Sequence, residues 1–230
     1  MISSRKFFRF QWLFFLCAVT AVYPFFQEKV TVLTPENTNE ARLNRLQPPD
    51  QVMDAIGVKE GMSVAEIGAG RGRYVVQFAV RVGESGKVYA EDIDADALAH
   101  LEKRCERWGL NNVETILGDV ADPKLPEGEL DLIFIISAYH HFDDPVELLK
   151  NARPALKEDG TLAIGEWLTA TSPENVISQM EAAGFKLERT ETFLKKNNLS
   201  IYIFKIDPEF QLPPNGRCFL DHSRTATVQN

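Results

Sequence analysis

The sequence has few cysteines and no excess of positive charge, and both deficits narrow its possible functions. Its three cysteines, Cys17, Cys105 and Cys218, lie far apart and lack the C-x-x-C or Cys/His spacing of a zinc site. A dense disulfide framework is excluded too, so unpaired thiols in a reducing compartment are expected. Lysine and arginine number 25 against 33 aspartates and glutamates, a formal net charge of −8. Without a basic stripe, nucleic acid is not expected as the main partner.

The chain also lacks internal repeats and low-complexity tracts, and its one long apolar run stands at the N-terminus. Residues 10–26 carry no charge and follow Arg5, Lys6 and Arg9. A basic segment before an apolar run predicts that residues 1–27 are a membrane anchor or a signal peptide. An anchor would make the protein membrane-associated, whereas cleavage would leave it secreted or periplasmic. An organelle-import segment and a buried helix are the other two interpretations.

The remaining chain divides into three parts. Residues 28–47 are rich in polar residues, asparagine and proline, and are expected to form a linker with little reason to pack. Residues 48–206 carry all the periodic segments, and 44% hydrophobic residues over the whole chain suffice for one sizeable core. Residues 207–230 are expected to form an irregular tail.

Within residues 48–206, short apolar segments alternate with amphipathic ones, which predicts an α/β fold with a mostly parallel sheet. The expected strands are residues 63–67, 87–91, 113–117, 130–137, 161–167, 185–193 and 200–206. The expected helices are residues 51–56, 71–82, 95–108, 145–156 and 173–183. Asp50, Asp144 and Ser172 are the expected caps of the first and the last two helices.

The last two strands are joined by residues 194–199, a connection with no helix in it. Two strands joined in this way must pair as an antiparallel hairpin. The sequence therefore predicts a Rossmann-like sheet of seven strands with helices on both faces and a terminal antiparallel hairpin. A nicotinamide-binding domain is not expected to end in this arrangement.

The most informative segment follows the first strand, where Gly68, Gly70 and Gly72 occupy every second position. Glycines in a strand-to-helix turn allow positive φ and let a ligand lie against bare backbone. Glu66, near the strand's end, can accept a hydrogen bond from a ligand's amino group. A nicotinamide dehydrogenase would carry its third glycine at position 73, which is Arg73 here.

This E-x-G-x-G-x-G segment resembles the first motif of the class I S-adenosylmethionine (SAM)-dependent methyltransferases, in particular small-molecule enzymes of the methyltransferase type 11 or quinone-biosynthesis kind. The resemblance covers residues 48–206, with the motifs in order, and implies that SAM is the cofactor. Its first contacts would come from Glu66 and from the loop residues Gly68, Ala69, Gly70 and Gly72.

Two further acids follow the next two strands. An acid about twenty residues after the glycines can accept hydrogen bonds from both ribose hydroxyls. Asp92, which precedes Ile93, matches the family's ribose-binding acid best, and Glu91 is the alternative if the strand ends one residue earlier. Gly118-Asp119-Val120 resembles the family motif in which the Asp accepts a hydrogen bond from the adenine amino group. Val120 would then offer its backbone N–H to the ring edge.

His140 and His141 follow the strongly apolar fourth strand, which Asp131 opens, and they are the candidates for a general base. A similar His-His pair lies near the cofactor in the quinone-biosynthesis type, and either imidazole could merely cap or line that pocket. No [DNS]-P-P-[YFW] motif follows this strand, which disfavours methylation of amide or exocyclic nitrogens. We expect a small acceptor, with lipophilic molecules as the first candidates and Tyr139, Phe142 and Trp167 as candidate lining residues.

Two alternatives stay open from the sequence alone. One is a catalytically silent, membrane-tethered protein that retains the SAM pocket, and the other is an NAD-dependent oxidoreductase. Intact acids at all three cofactor positions disfavour the first, whereas Arg73 and the terminal hairpin disfavour the second. No metal site is expected, and the sequence leaves the oligomeric state open.

Overall fold

The computed structural model describes residues 33–210. They form one seven-stranded sheet in the order β3-β2-β1-β4-β5-β7-β6, in which β7 alone runs antiparallel to its neighbours. The strands are β1 Ser63–Ile67, β2 Lys87–Asp92, β3 Val113–Leu117, β4 Leu130–Ile136, β5 Leu156–Trp167, β6 Phe185–Glu191 and β7 Leu199–Ile206. The predicted fold class and terminal hairpin are confirmed.

Six α-helices accompany the sheet in this part of the chain. They are α1 Thr38–Leu46, α2 Pro49–Ala55, α3 Val75–Val82, α4 Ala95–Trp108, α5 Pro145–Ala152 and α6 Pro173–Ala182. Side chains of α2, α3 and α4 pack in the core on one face of the sheet, and those of α5 and α6 pack on the other. The central strand β4 is buried along nearly its whole length, as its apolar sequence predicts.

Side-chain caps fix several helix starts. Asp144 accepts a hydrogen bond from the Glu147 N–H at 3.1 Å and Ser172 one from the Asn175 N–H at 3.2 Å, so both predicted caps are confirmed. Asp50 is not a cap, because α2 begins at Pro49 and the Asp50 carboxylate instead pairs with Arg81 at 3.1 Å.

Helix α1 corrects the expectation that residues 28–47 are an unpacked linker. Asn37, a residue typical of loops, caps α1 by accepting a hydrogen bond from the Glu40 N–H at 2.9 Å. Glu40 is buried and pairs with the buried Arg104 of α4 at 2.6 Å. The described part of the expected linker is therefore a helix fixed to the domain. The division of the chain at residues 48 and 206 stays a prediction.

Three other boundaries differ from the prediction by several residues. Residues 71–74 form turns, so α3 starts at Val75 rather than at residue 71. The helix expected over residues 145–156 ends at Ala152, because Pro154 lacks an N–H group and a short 3-10 turn, Arg153–Ala155, replaces the last helical turn. Strand β5 then begins at Leu156, earlier than expected, with a register irregularity opposite Leu130 and Leu132.

The N-terminal apolar segment and residues 211–230 lie outside the described residues. Among residues 33–210, no helix combines the length and the apolar character needed to cross a membrane. Cys105 is a buried free thiol, whereas Cys17 and Cys218 fall outside this range.

Candidate functional site

A cavity of about 360 Å³ opens at the carboxyl edge of the sheet, where β1, β2, β3 and β4 end. Ligands of open α/β sheets bind at this edge. The cavity is lined by Ile67, Gly68, Glu91, Asp92, Ile93, Asp119, Val120, Ile136, Ser137, Ala138, His141, Phe142, Asp143 and Leu148. Of the residues chosen from sequence, the structure thus brings together Gly68, Asp92, Ile93, Asp119, Val120 and His141. Glu66, Ala69, Gly70, Gly72 and His140 do not belong to this lining.

The three glycines after β1 all have positive φ, of +74° at Gly68, +54° at Gly70 and +79° at Gly72. Their surroundings differ, however. A Cβ on Gly68 would lie 2.7 Å from the Ala138 Cβ, and one on Gly72 would lie 2.2 Å from a methyl carbon of Leu101. A Cβ on Gly70 would meet nothing within 4 Å. Gly68 and Gly72 therefore permit close packing of the loop, whereas Gly70 faces open space.

Asp92, at the end of β2, holds the glycine loop. Its Oδ2 accepts a hydrogen bond from the Gly70 N–H at 2.7 Å, and its Oδ1 accepts one from the Asp94 N–H at 2.9 Å. Because Asp92 also lines the cavity, its carboxylate connects the loop to the place where a ribose would bind.

Glu91 lines the cavity as well, although successive side chains of a strand point to opposite faces. Its Oε2 accepts a long hydrogen bond of 3.4 Å from the Gly68 N–H. A Cβ at position 118 would lie 1.9 Å from the Glu91 Oε1, so Glu91 would have to move if position 118 carried a side chain. Burial, together with the nearby Asp92 carboxylate, raises the pKa of Glu91 to about 8. Glu91 therefore belongs to the site together with Asp92.

Glu66 lies beneath the glycine loop and is 3% exposed. Burial raises its pKa to about 8, against the opposing charge of Arg73. Its Oε2 is buried and has no hydrogen-bond partner among the described residues. A buried polar atom without a partner is costly, so this oxygen suits a donor that arrives with a ligand.

The outer end of the cavity combines apolar side chains with a carboxylate. Ile93 is 60% exposed and Val120 is 54% exposed, high values for such residues. Asp119, beside them, pairs with Lys124 at 2.9 Å on the surface. Two exposed aliphatic side chains next to a hydrogen-bond acceptor suit a flat, apolar ring that carries an amino group.

Gln47 was not anticipated as a site residue, and it joins three parts of this edge. Its amide nitrogen donates to the Ser137 Oγ at 2.9 Å, its side-chain oxygen accepts from Arg73, and its backbone oxygen accepts from the Tyr74 hydroxyl at 3.0 Å. Ser137 has φ of +54°, a conformation uncommon outside glycine that often marks functional sites. Gln47 is fully buried, and a lone glutamine in a polar segment gives no sequence signal for such a role.

The two histidines occupy different positions. His141 lines the cavity, whereas the His140 Nδ1 lies 2.9 Å from the Oε1 of Glu166 at the end of β5. Sequence reasoning also missed Glu166, although a single charged residue in the apolar end of β5 was an available signal.

The residues expected to line an apolar acceptor pocket occupy different environments. Tyr139 is buried and donates its hydroxyl to Gln179 at 2.8 Å. Phe142 does line the cavity, and Trp167 is partly buried against the core.

These features fit SAM. The unpartnered Glu66 oxygen can accept from an amino group, Asp92 can accept from ribose hydroxyls, and Ile93 and Val120 can enclose an adenine next to Asp119. Among the described residues, no group of three or more metal-binding side chains is arranged to hold an ion.

Comparison with known proteins identifies methyltransferases, in agreement with a site that fits SAM. The family described as "Methyltransferase domain" matches residues 64–160. The probable cobalt-precorrin-6B C(15)-methyltransferase of Sulfurisphaera tokodaii is 30% identical over 138 residues, which cover 60% of this chain and 69% of that protein. The ubiquinone/menaquinone biosynthesis C-methyltransferase of Idiomarina loihiensis is 30% identical over 116 residues, 50% of this chain and 46% of that protein.

Among solved structures, a SAM-dependent methyltransferase from Aquifex aeolicus superposes with a TM-score of 0.65 at 28% identity, covering 73% of this chain and 97% of that one. With the cavity, its acids and these relatives in agreement, the chain belongs to the class I SAM-dependent methyltransferases.

Proposed function

We propose that the protein transfers a methyl group from SAM to a small acceptor molecule, and that lipophilic acceptors are the first to test. The observation that carries this proposal is the cavity, which joins acids at the ends of β2 and β3 to the His141 end of β4. A sulfonium methyl group is already activated, so the protein's main task is to align the acceptor with it. The names of the precorrin and quinone relatives describe small-molecule pathways and support an acceptor of this size.

We propose the following contacts between the cofactor and the residues of this site. Asp92 would hold the ribose, Asp119 and the Val120 N–H the adenine, and Glu66 the amino group. Gly70 would leave room for the ligand, and Gly68, Ala69 and Gly72 would form the rest of the loop that the ligand contacts. Phe142 offers an apolar surface near His141. His140 and His141 are the candidates for the group that removes a proton from the acceptor.

Calorimetry and a methyl-transfer screen test this proposal. The purified protein should bind SAM and S-adenosylhomocysteine but not NADH. It should then transfer label from methyl-labelled SAM to at least one member of a panel of phenols, hydroquinones, amines and thiols. SAM binding without transfer to any of them would favour a catalytically silent SAM-binding protein, and NADH binding alone would favour an oxidoreductase.

We also propose that the N-terminal segment, residues 1–27, tethers the domain to a membrane. Its support is the sequence itself, in which a basic segment precedes the uncharged residues 10–26. Protease protection in sealed membranes, read by blotting for the domain, would establish the side on which the domain lies. Recovery of full-length protein only in the high-salt soluble fraction would refute the tether.

A further inference from the structure

His140 and Glu166 form a pair that the sequence did not suggest. His140 lies in the short 3-10 turn Tyr139–His141 after β4, and Glu166 lies near the end of the neighbouring parallel strand β5. The His140 Nδ1 is 2.9 Å from one Glu166 oxygen and 3.2 Å from the other. The Glu166 side chain is 1% exposed, whereas that of His140 is 25% exposed. The pair therefore has a buried carboxylate and an imidazole that reaches solvent.

The contacts of Glu166 determine which imidazole nitrogen carries the proton. The Glu166 Oε1 also accepts a hydrogen bond from the Trp167 N–H at 2.7 Å, so this oxygen is held as an acceptor. An acceptor facing Nδ1 requires that Nδ1 carry the hydrogen. In neutral His140, Nε2 is then left with its lone pair. This is the arrangement in which a carboxylate orients a histidine as a base.

The position of the pair suits a base that serves an acceptor. The His140 ring lies against the His141 ring, with centroids 4.1 Å apart, and His141 lines the cavity. His140 thus stands next to the cavity but outside its lining. A general base must come within hydrogen-bond reach of the acceptor, so we expect the acceptor to bind at the edge of the cavity, beside His141 and His140. The titratable groups that contact His140 in the described chain are Glu166 on β5 and His141 on the same turn.

We infer that His140 is the general base and that Glu166 is its positioning residue, which identifies the acceptor as a hydroxyl compound such as a phenol or enol. This inference rests on the proposed function. As the acceptor oxygen bonds to the methyl carbon, the carbon–sulfur bond breaks and its electron pair stays on sulfur. The hydroxyl proton passes to the His140 Nε2, and Glu166 stabilises the resulting imidazolium. A thiolate or an already ionised phenol needs no such base.

The first test reads the tautomer without any reaction. Long-range proton–nitrogen NMR of the full-length protein with ¹⁵N-labelled histidine should show His140 protonated at Nδ1 and not at Nε2, with its signals assigned by their loss in His140→Gln. Glu166→Gln keeps the shape but adds an amide donor, so His140 should become a mixture of tautomers. His100 is an internal control, because its Nε2 faces Glu36 at 2.8 Å and should stay protonated there in both proteins. An Nε2–H tautomer in the unchanged protein, or no effect of Glu166→Gln, would overturn the positioning role.

The second test measures chemistry on an acceptor from the screen, together with a ring-substituted analogue that is ionised at the assay pH. His140→Gln should lower kcat for the un-ionised hydroxyl compound at least ~100-fold, within the usual range for a lost general base. It should affect the ionised analogue far less and leave the Kd for SAM unchanged. Glu166→Gln should act in the same direction, with partial recovery in Glu166→Asp.

A failure of the inferred base can be distinguished from a failure of the proposed function. Methyl transfer to a hydroxyl acceptor that survives His140→Gln would refute the base while leaving the proposed function intact. Methyl transfer restricted to thiols would refute the acceptor class in the same way. SAM binding without transfer to any acceptor would refute the proposed function, and the base role with it.

Discussion

At the scale of single residues, variants of two glycines can distinguish an effect on ligand binding from an effect of backbone strain. Gly70 and Gly57 both have positive φ, +54° and +80°, and a Cβ on either would meet no protein atom within 4 Å. A side chain at either position is therefore strained by its backbone alone, by about 1–3 kcal/mol. Only Gly70 lies in the loop that Asp92 holds beside the cavity, whereas Gly57 lies between α2 and β1.

Gly70→Val should abolish SAM binding, because the added methyl groups would occupy the open space above the loop and strain its backbone. Gly57→Val should cost similar stability but leave SAM affinity unchanged. Calorimetry with SAM and thermal unfolding measure the two effects. Normal affinity in a folded Gly70→Val protein would mean that the cofactor does not lie against this loop.

Asp92→Ala should weaken SAM binding by about 2–3 kcal/mol, the scale of lost charge-assisted hydrogen bonds. Glu91→Ala should weaken it less, because Asp92 fixes Gly70 and is the residue proposed to bind the ribose. Calorimetric titrations of the two variants give the comparison. A larger loss for Glu91→Ala would assign the ribose to Glu91 instead.

Stability should depend on pH through Glu91. Burial raises the pKa of this carboxyl from 4.5 to about 8 in the folded protein. The folded state therefore holds a proton that the unfolded state has released, and stability is lost as the pH rises from 4.5 to 8.

Glu91→Gln removes this titration, so the variant should match the unchanged protein near pH 5. At pH 8.5 it should have a Tm higher by at least ~3 °C, the shift given by about 1 kcal/mol in a chain of this size. Glu127→Gln, at an exposed position, serves as the control and should shift neither value. Equal Tm differences for Glu91→Gln at both pH values would contradict the assigned ionisation.

At the scale of elements, α1 is fixed by a buried ion pair. Glu40→Ala would leave the buried Arg104 guanidinium without its carboxylate, and such a loss costs about 3–5 kcal/mol. Glu36 offers a matched control, since it precedes the same helix and pairs with Arg107, which is 54% exposed. Glu36→Ala should cost about 1 kcal/mol or less. Denaturant unfolding measures the loss of stability in both variants. Equal losses for Glu40→Ala and Glu36→Ala would show that the buried pair stabilises the protein no more than the exposed one.

The comparison of elements also shows how far the sequence predicts the structure. The central strands β1, β2, β4, β5 and β7 follow from short apolar segments, because the buried positions of a sheet require them. The edge strands β3 and β6 are only partly apolar and are mostly not buried. Helix α1 does not follow, since its polar sequence gains its stability from Arg104, 64 positions away in the chain. The acids Asp92 and Asp119 could be predicted to lie at the sheet edge, because Asp92 ends β2 and Asp119 follows β3 by two residues. The His140–Glu166 pair could not, because it depends on how β4 and β5 are aligned side by side.

At the scale of the whole molecule, the segment before α1 should be separable from the fold. Removal of residues 1–30 should leave a soluble domain that binds SAM, because Leu33 and the helix after it are retained. Removal of residues 1–47 should destabilise the domain, since it deletes Glu40 and Gln47. Circular dichroism melts and SAM titrations of both truncated proteins test this. If the protein that lacks residues 1–30 aggregates in the absence of detergent, residues 1–30 belong to the fold.

Gln47 gives the molecule a further property. Because it bonds at once to Ser137, to Arg73 and to the Tyr74 hydroxyl, α1 cannot detach without also releasing the glycine loop and the end of β4. The amides of these three segments should therefore exchange with deuterium as one cooperative group, faster than the central residues of β4. A ligand that binds the loop should then slow exchange in α1 as well, so cofactor binding could be measured from the exchange of this helix.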